Sequence, residues 1–261
     1  MLKDFDLTGR KALVTGAGRG IGKGVALALA EAGADVAVTA LGQENATKVA
    51  REVVALGRKG FGFAVDGTKV EPMAAARDRV LDALGGLDIL VNSIGDAIRG
   101  VVADGTPDAG HTLTEAEWHT VIDVNLTQGF VGCNVFGPHL LAQKRGAVVN
   151  ITSFASLRPS ANMSAYAAGK AGLMRLTECL AIEWAPAGVR VNAVAPGTFP
   201  DPEQMTPEER ERRLGQPAPG VPLGRFGLTR EVGLLAVYLA SDAAAYVTGQ
   251  TIAIDGGRTL L

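Results

Sequence analysis

The sequence predicts an α/β fold built on a doubly wound, mostly parallel sheet of seven strands with helices on both faces. Seven short runs rich in β-branched residues recur along the chain, and stretches of helical character separate them. Most of these runs are apolar throughout, which is typical of strands that are covered on both faces, as in a parallel sheet. The regular alternation of strand and helix then favours repeated βαβ units.

The predicted strands are, in chain order, KALVTG, DVAVTA, GFGFAV, LDILVNS, GAVVNIT, VRVNAVAPG and TIAIDGG. Between the first two, Ile21, Val25 and Leu29 recur at helical spacing, and Gly33 ends the helix. Two stretches do not fit the alternation, residues 96–114 and residues 198–227. Irregular connections of this length are typical of lids and binding loops. We therefore predict a single domain over residues 1–261, with these two segments as loops or lids.

Composition narrows the class of partner. The 261 residues are 47% hydrophobic and 20% charged, with a formal net charge of -2. Acidic and basic residues are interspersed, so no basic face for nucleic acid or for an anionic membrane is indicated. No run of 18 apolar residues occurs, and the first residues carry two aspartates before any apolar run. These features predict a cytoplasmic protein that acts on a small molecule.

Neither cysteine nor histidine spacing indicates a metal site. Cys133 and Cys179 lack the paired spacing of a zinc site or a disulfide framework, and we expect both to be buried and reduced. His111, His119 and His139 show no metal-ligand spacing, so no metal is predicted.

The stretch VTGAGRGIGKGVALALA reads as strand, glycine-rich turn and helix. Glycines can adopt positive φ and let backbone N–H groups approach an anion at a helix N-terminus, where the helix dipole favours negative charge. The glycines of this turn are Gly16, Gly18, Gly20 and Gly22. A Walker A motif is excluded because Lys23 is followed by Gly24 rather than Ser or Thr. The context favours a dinucleotide pyrophosphate over a tight turn without ligand.

The stretch SAYAAGKAG spaces Tyr166 and Lys170 one helical turn apart. Side chains at positions i and i+4 of a helix lie on the same face, so the phenol and the ammonium can share one small volume. Taken alone, such a pair is also consistent with an ordinary helix surface.

Several motifs in order resemble the short-chain dehydrogenase/reductase family. TGAGRGIG has the family's TGxxxGxG spacing, and YAAGK has its YxxxK. LVNSIG, DVNLTQG, NITSFAS, VNAVAPG and SDAAAYVTGQTIAIDGG are similar to the family's later motifs. The general likeness is to 3-oxoacyl-carrier-protein reductases and gluconate 5-dehydrogenases. The resemblance implies a Rossmann-type fold, an NAD or NADP cofactor, and hydride transfer between a secondary alcohol and a ketone.

The resemblance implies four catalytic positions, Asn125, Ser153, Tyr166 and Lys170. Hydride transfer to a ketone builds negative charge on oxygen, so the site needs a proton donor and a second hydrogen bond. Tyr166 and Ser153 fit these roles, and we expect the Lys170 ammonium to lower the pKa of the phenol. Asn125 should hold a water that links Lys170 to solvent. The structural alternatives are a helix irregularity at Asn125 and a strand end at Ser153.

The same resemblance predicts the cofactor contacts. The residues expected at the cofactor are Gly16, Gly18, Arg19, Gly20, Ile21, Gly22, Thr39, Ala40, Leu41, Asp66, Gly67, Asn92, Ile94, Gly95, Tyr166, Lys170, Pro196, Gly197 and Thr198. NADP is favoured over NAD because Arg19 can bind a 2′-phosphate, Thr39 can add a hydroxyl, and no acid stands at Ala40 or Leu41. Asp66 resembles the family's adenine contact.

Two departures from the family pattern affect these contacts. In NSIG, Ser93 and Ile94 replace the usual Asn and Ala, which predicts a bulkier wall beside the cofactor. In PGTFPD, Asp201 stands where the family often has threonine, so the usual hydroxyl contact is expected only if Thr198 substitutes.

Substrate contacts are expected from the two loops. The candidates are Asp96, Arg99, Phe154, Arg158, Asn162, Phe199 and Met205. Arg158 could pair with a substrate carboxylate or be only a solvated charge. Carrier-protein reductases often have a basic residue where this chain has Ala187, which favours a free small-molecule substrate. The alternative functions are a 3-oxoacyl-carrier-protein reductase and a non-catalytic dinucleotide-binding regulator. The resemblance also implies a homotetramer, with a dimer as the alternative, through helices over residues 115–142 and 164–185.

Overall fold

Strands and helices alternate along residues 2–105 and 110–261, the part of the chain that the computed structural model describes. The strands are β1 (Lys11–Thr15), β2 (Asp35–Ala40), β3 (Gly60–Ala64), β4 (Ile89–Asn92), β5 (Gly146–Ile151), β6 (Val189–Pro196) and β7 (Thr251–Ile254). The α-helices are α1 (Gly20–Glu31), α2 (Gln43–Ala55), α3 (Val70–Leu84), α4 (Glu115–Ile122), α5 (Gln128–Ala142), α6 (Ser164–Trp184), α7 (Pro207–Leu214) and α8 (Thr229–Ala240). Each predicted strand is present, and Gly33, at φ 108, follows α1 as expected.

The strands form one seven-stranded sheet in the order β3-β2-β1-β4-β5-β6-β7 within the described chain. Every pairing in it is parallel, so the predicted mostly parallel sheet is confirmed and has no antiparallel edge among these residues. The strand order reverses between β1 and β4, where Thr15 lies beside Asn92. Crevices for ligands open at such reversals, outside the carboxyl ends of the strands.

Helices cover both faces of the sheet, which explains the continuous apolar strands. On β1, Val14 packs into the core under α1, α2 and α8, whereas its neighbour Leu13 packs into the core under α3, α5 and α6. Both side chains are fully buried. Complete burial of such a side chain contributes about 1.5–3 kcal/mol to folding, so alternation with polar residues would destabilise these strands.

The two segments predicted as irregular contain more order than the sequence indicated. Residues 198–227 include helix α7, which begins with a capping box between Thr206 and Glu209, so the prediction of a wholly irregular loop is wrong here. The capping box satisfies N–H groups that otherwise lack partners at a helix start. In the other segment, isolated bridges pair Gly100 with Met163 and Val101 with Thr112, and residues 106–109 lie outside the described part.

The prediction that both cysteines are buried is confirmed for one of them and wrong for the other. Cys133 is buried as predicted, but Cys179 is exposed on the outer face of α6, where Ile182 is exposed as well. Burial raises the pKa of Cys133 to about 12, so this thiol is inert.

Among the described helices, none combines the length and apolar character that crossing a bilayer requires.

Candidate active site

The glycine-rich turn joins β1 to the start of α1. Gly16 and Gly20 adopt positive φ, 65° and 56°, which only glycine tolerates without strain. Gly18 and Gly22 do not, contrary to the expectation for all four, and are required instead for close packing. A Cβ at Gly22 would lie 2.5 Å from the Ser93 Oγ atom. The turn therefore brings backbone N–H groups to the helix N-terminus at the sheet reversal.

A cleft of about 670 Å³ lies along the carboxyl ends of β1, β2, β4 and β5. The predicted residues that line it are Gly16, Gly18, Arg19, Gly20, Ile21, Gly22, Ala40, Leu41, Asp66, Gly67, Ile94, Gly95, Asp96, Tyr166, Lys170 and Phe199. The glycine turn and the Tyr166–Lys170 pair therefore share one cleft, which neither motif shows alone.

Lys170 is the buried cation of this cleft. Its side chain is 3% exposed, and Nζ donates hydrogen bonds to the carbonyl oxygens of Ile151 (2.9 Å) and Ile94 (3.3 Å). Burial lowers the pKa of Lys170 to about 7, because the ammonium loses its hydration there. Near neutral pH the amine is thus poised between its charged and neutral forms.

Asn125 lies beside this amine in a π-helical turn, Asp123–Thr127, between α4 and α5. Its Nδ2 atom donates to the carbonyl oxygens of Asp96 (2.6 Å) and Val121 (2.8 Å), which fixes the orientation of the amide. The Oδ1 atom is buried without a hydrogen-bond partner. A Cβ built on Gly95 would lie 2.7 Å from Lys170 Nζ and 3.1 Å from Asn125 Oδ1, so both polar atoms border the same small space.

Tyr166 lies next to Ser153 and one helical turn before Lys170. The Lys170 Nζ atom is 6.0 Å from the centre of the Tyr166 ring. Burial raises the pKa of Tyr166, a hydrogen bond with Ser153 lowers it, and the charge of Asp96 raises it. The expected lowering by Lys170 is therefore absent in the chain by itself, because desolvation dominates and Lys170 is itself only partly charged. The phenol keeps its proton at neutral pH.

Several cofactor candidates lie outside the lining of the cleft. Thr39 is buried, and its Oγ1 atom has no hydrogen-bond partner, so the expected hydroxyl contact stays a prediction. Asn92 is fully buried and its Nδ2 donates to Asn150 Oδ1 at 2.8 Å, which ties β4 to β5. The Thr198 hydroxyl accepts a hydrogen bond from Arg258 Nη1 at 2.8 Å. Pro196 and Gly197, at the end of β6, also lie outside the lining of the cleft.

Ile94 fills space that two glycines leave open. A Cβ at Gly67 would lie 2.4 Å from Ile94 Cδ1, and a Cβ at Gly16 would lie 2.7 Å from Ile94 Cγ1. The bulkier wall predicted from NSIG is present, and the missing side chains of Gly16 and Gly67 accommodate it.

The substrate candidates divide into two groups. Asp96 and Phe199 line the cleft. Arg99, Arg158 and Asn162 are exposed and are not part of its lining. Met205 borders a separate small depression beside α7, and Phe154 lies under the guanidinium of Arg258.

Sequence reasoning missed several residues at the site. The cleft is also lined by Gly42, Asn45, Val65, Thr68, Val124, Ile151, Thr152 and Gln204. Arg258, near the end of the chain, stacks 4.5 Å over the Phe154 ring, next to Ser153. Of these residues, only Thr68 has a signal in the sequence, because it lies two positions after the predicted contact Asp66. The Asp66 carboxylate accepts hydrogen bonds from the Thr68 backbone N–H and hydroxyl.

The residues fit a dinucleotide. The glycine turn places the start of α1 and its N–H groups at the cleft, where an anion is favoured, and the unpartnered Asn125 Oδ1 marks a polar position deeper in the cleft. One contact opposes the fit: the Asp201 carboxylate accepts a hydrogen bond from Gly20 N at 3.0 Å.

Comparison with known proteins agrees with this geometry. The family described as enoyl-(acyl carrier protein) reductase matches residues 16–259. A 3-oxoacyl-[acyl-carrier-protein] reductase of Thermotoga maritima is 34% identical, with 97% of this chain and 99% of the relative covered. A 2-dehydro-3-deoxy-D-gluconate 5-dehydrogenase of Pseudoalteromonas atlantica is 38% identical, with 98% of each covered. A 7α-hydroxysteroid dehydrogenase solved with NADH and 7-oxo glycochenodeoxycholic acid superposes with a TM-score of 0.84 at 30% identity, covering 97% of this chain and 96% of that one.

The chain belongs to the short-chain dehydrogenase/reductase family. It is an NAD(P)-dependent oxidoreductase with a Rossmann-type fold.

The lowered pKa of Lys170 predicts a specific dependence of stability on pH. The group titrates near 7 in the folded chain and at 10.5 when unperturbed, so between these values the unfolded chain binds more protons. The contribution of Lys170 to the free energy of unfolding therefore rises with pH across this window and is flat below it. In urea unfolding at several pH values, the stability of wild type relative to Lys170→Met should rise from neutral to alkaline pH.

The control is Lys59→Met, which removes an exposed lysine. Its stability relative to wild type should stay constant over the same range. If the Lys170→Met difference is also constant, the amine is charged in the folded protein and our description of the site is wrong.

Proposed function

We propose that the protein interconverts a secondary alcohol and a ketone on a free small molecule, with Tyr166 as general acid and base. The observation that carries this proposal is the cleft shared by the glycine turn, Tyr166 and Lys170. Bound nicotinamide supplies the hydride in reduction and accepts it in oxidation. A non-catalytic regulator is less well supported, since it predicts loss of a catalytic group and Asn125, Ser153, Tyr166 and Lys170 are all present.

The chain's own residues can move the proton. In reduction, the neutral Tyr166 phenol donates its proton to the carbonyl oxygen as negative charge builds there. The Ser153 Oγ atom accepts a hydrogen bond from Ala155 N at 3.1 Å, so the Ser153 hydroxyl can donate its own proton, to Tyr166 or to the substrate oxygen. Lys170 then stabilises the phenolate that forms, because its amine can take up a proton near neutral pH. The unpartnered Asn125 Oδ1 can hold the water through which Lys170 exchanges that proton.

NADP(H) is the proposed cofactor, with NAD(H) as the alternative. No carboxylate stands at Ala40, which lines the cleft at the end of β2, or at Leu41, which is 81% exposed. Arg19 lies on the same cleft and uses Nη1 to donate to Gln204 Oε1 at 2.7 Å, which leaves its other N–H groups for a 2′-phosphate. Asp66 borders the cleft on the opposite side and is the proposed adenine contact.

The substrate is proposed to be free rather than attached to a carrier protein. Ala187, in the turn before β6, offers no charge to a carrier protein. The Arg258 guanidinium over Phe154 adds positive charge near Ser153, which favours a substrate that carries an acidic group. The similarity to the Thermotoga maritima protein supports a 3-oxoacyl-carrier-protein reductase as the second candidate. The cytoplasmic location stays a prediction from the sequence.

Removing the Tyr166 hydroxyl tests the proposed mechanism. Tyr166→Phe should lower kcat by at least about 10²-fold, the usual contribution of a general acid, and leave the Kd for the dinucleotide unchanged. Tyr246→Phe, at a fully exposed tyrosine, is the matched control and should retain wild-type kcat. A kcat of Tyr166→Phe close to that of wild type would show that Tyr166 is not the general acid.

An acid after β2 tests the proposed cofactor. A charge-assisted contact between Arg19 and a 2′-phosphate is worth about ten- to a hundredfold in affinity. Wild type should therefore show the higher kcat/KM with NADPH. Ala40→Asp should reverse the preference, since its carboxylate repels the phosphate and accepts hydrogen bonds from a bare ribose. A wild type that already prefers NADH would contradict the proposal.

Light scattering tests the proposed homotetramer, for which a dimer is the alternative. Phe130 on α5 and Ile182 on α6 are 49% and 78% exposed, and Leu260 and Leu261 at the chain end are 87% and 66% exposed. Apolar side chains on two separate surfaces support two kinds of subunit contact. At micromolar concentration the mass should be four times 26.9 kDa, and a 26.9 kDa species would contradict the proposal.

A further inference from the structure

The segment Asp201–Gln204, which we call the strap, lies across the glycine-rich turn. It follows β6 and contacts residues about 180 positions earlier in the chain. Phe199, just before the strap, and Gln204, at its end, both line the dinucleotide cleft. The strap therefore borders the opening through which a dinucleotide would enter.

The Asp201 carboxylate occupies the anion position at the start of α1. Its Oδ2 atom accepts hydrogen bonds from Gly20 N (3.0 Å) and from Gln204 Nε2 (2.9 Å), while Oδ1 accepts from Glu203 N (3.0 Å). Gly20 is the first residue of α1, where the helix dipole and free N–H groups attract negative charge. Glycine is needed at this position for its positive φ of 56° rather than for space, since a Cβ there would lie 3.8 Å from Asp201 Oδ2, an ordinary contact distance.

Glu203 fastens the strap to both neighbouring helices. Its carboxylate pairs with Lys23 Nζ on α1 at 2.5 Å and with Lys48 Nζ on α2 at 2.9 Å. The hydrogen bonds from these two ammonium groups lower the pKa of Glu203 to about 2, so Glu203 is ionised at any physiological pH. Lys23 also pairs with Glu52 at 2.9 Å.

Gln204 adds a second contact to the turn. Its Oε1 atom accepts a hydrogen bond from Arg19 Nη1 at 2.7 Å, and its Nε2 atom donates to Asp201. Arg19 immediately precedes Gly20 and is the proposed phosphate ligand. The strap thus engages both a backbone donor and a side-chain donor that a dinucleotide would use.

We propose that Asp201 is an internal competitor for the cofactor: its carboxylate holds the pyrophosphate position at Gly20 in the free protein and must leave before a dinucleotide binds. This inference rests on the proposed dinucleotide site. A carboxylate and a phosphate cannot share one N–H group, and their like charges repel. The apparent Kd therefore equals the intrinsic Kd divided by the fraction of molecules in which the strap is open. Glu203 lowers that fraction by holding the strap to Lys23 and Lys48.

Calorimetric titration of the purified protein with NADPH and with NADH measures this competition without requiring a substrate. Asp201→Asn keeps the side-chain shape and removes the charge that the α1 N-terminus attracts. It should lower the Kd for both dinucleotides by about ten- to a hundredfold. Glu211→Gln, which removes an exposed carboxylate from α7, is the matched control and should change the Kd less than about twofold.

A double-mutant cycle tests the role of Glu203. Glu203→Gln in the wild-type background should also lower the Kd, because it frees the strap. In the Asp201→Asn background the same change should have no further effect, since the competitor is already gone. A direct electrostatic effect of the freed Lys23 and Lys48 would persist in both backgrounds and would overturn the role given to Glu203.

Binding kinetics distinguish competition by Asp201 in the free protein from repulsion between Asp201 and a bound dinucleotide. In stopped-flow mixing, Asp201→Asn should raise the apparent association rate constant and leave the dissociation rate constant close to wild type. A gain confined to dissociation, or an unchanged or raised Kd, would overturn the proposal. If wild type and all variants fail to bind both dinucleotides, the proposed function itself fails instead.

Discussion

The buried amine of Lys170 is the interaction on which the site depends. By donating to the carbonyl oxygens of Ile94 and Ile151, it ties α6 to the carboxyl ends of β4 and β5. These strands are adjacent in the sheet, and β1 with its glycine turn lies on the other side of β4. One side chain thereby holds α6, and with it Tyr166, against the strand ends that border the cleft. Burial also lowers the pKa of this amine to about 7, so the same contact that orders the site gives it a group able to exchange protons.

The parallel sheet and most of the cleft could be predicted from the sequence because their signals are local. Apolar runs identify the strands, and the order of motifs identifies Gly16, Tyr166 and Lys170. Other features depend on the folded geometry. The apolar run of β2 does not reveal that the Thr39 hydroxyl is buried without a hydrogen-bond partner. The raised pKa of Tyr166 depends on how deeply α6 is packed, which no spacing encodes. Helix α7 lacks an apolar stripe, so the hydrophobic spacing that predicts a helix did not reveal it. The contact of Arg258 with Thr198 joins residues 60 apart.

Electrostatics divides the cleft into two regions with opposite requirements. Deep in the cleft, desolvation keeps Tyr166 protonated and leaves Lys170 only partly charged near neutral pH, which suits proton transfer. At its mouth, Gln204 and Asp201 of the strap bind Arg19 and Gly20, while Glu203 pairs with the partly buried Lys23 and the exposed Lys48. In our proposal these carboxylates cover the phosphate position until a ligand displaces them, so that different residues of one cleft serve reaction chemistry and ligand access.

The central claim is that this cleft transfers a hydride directly between a nicotinamide and a carbonyl carbon. The most direct measurement uses NADPH and NADH carrying deuterium at the transferable position, with a panel of ketones, oxidised sugar acids and a 3-oxoacyl thioester. Mass spectrometry of the product alcohol should find a single deuterium on the new carbinol carbon. A product without deuterium, or no product from any carbonyl although the dinucleotide binds, would contradict the account.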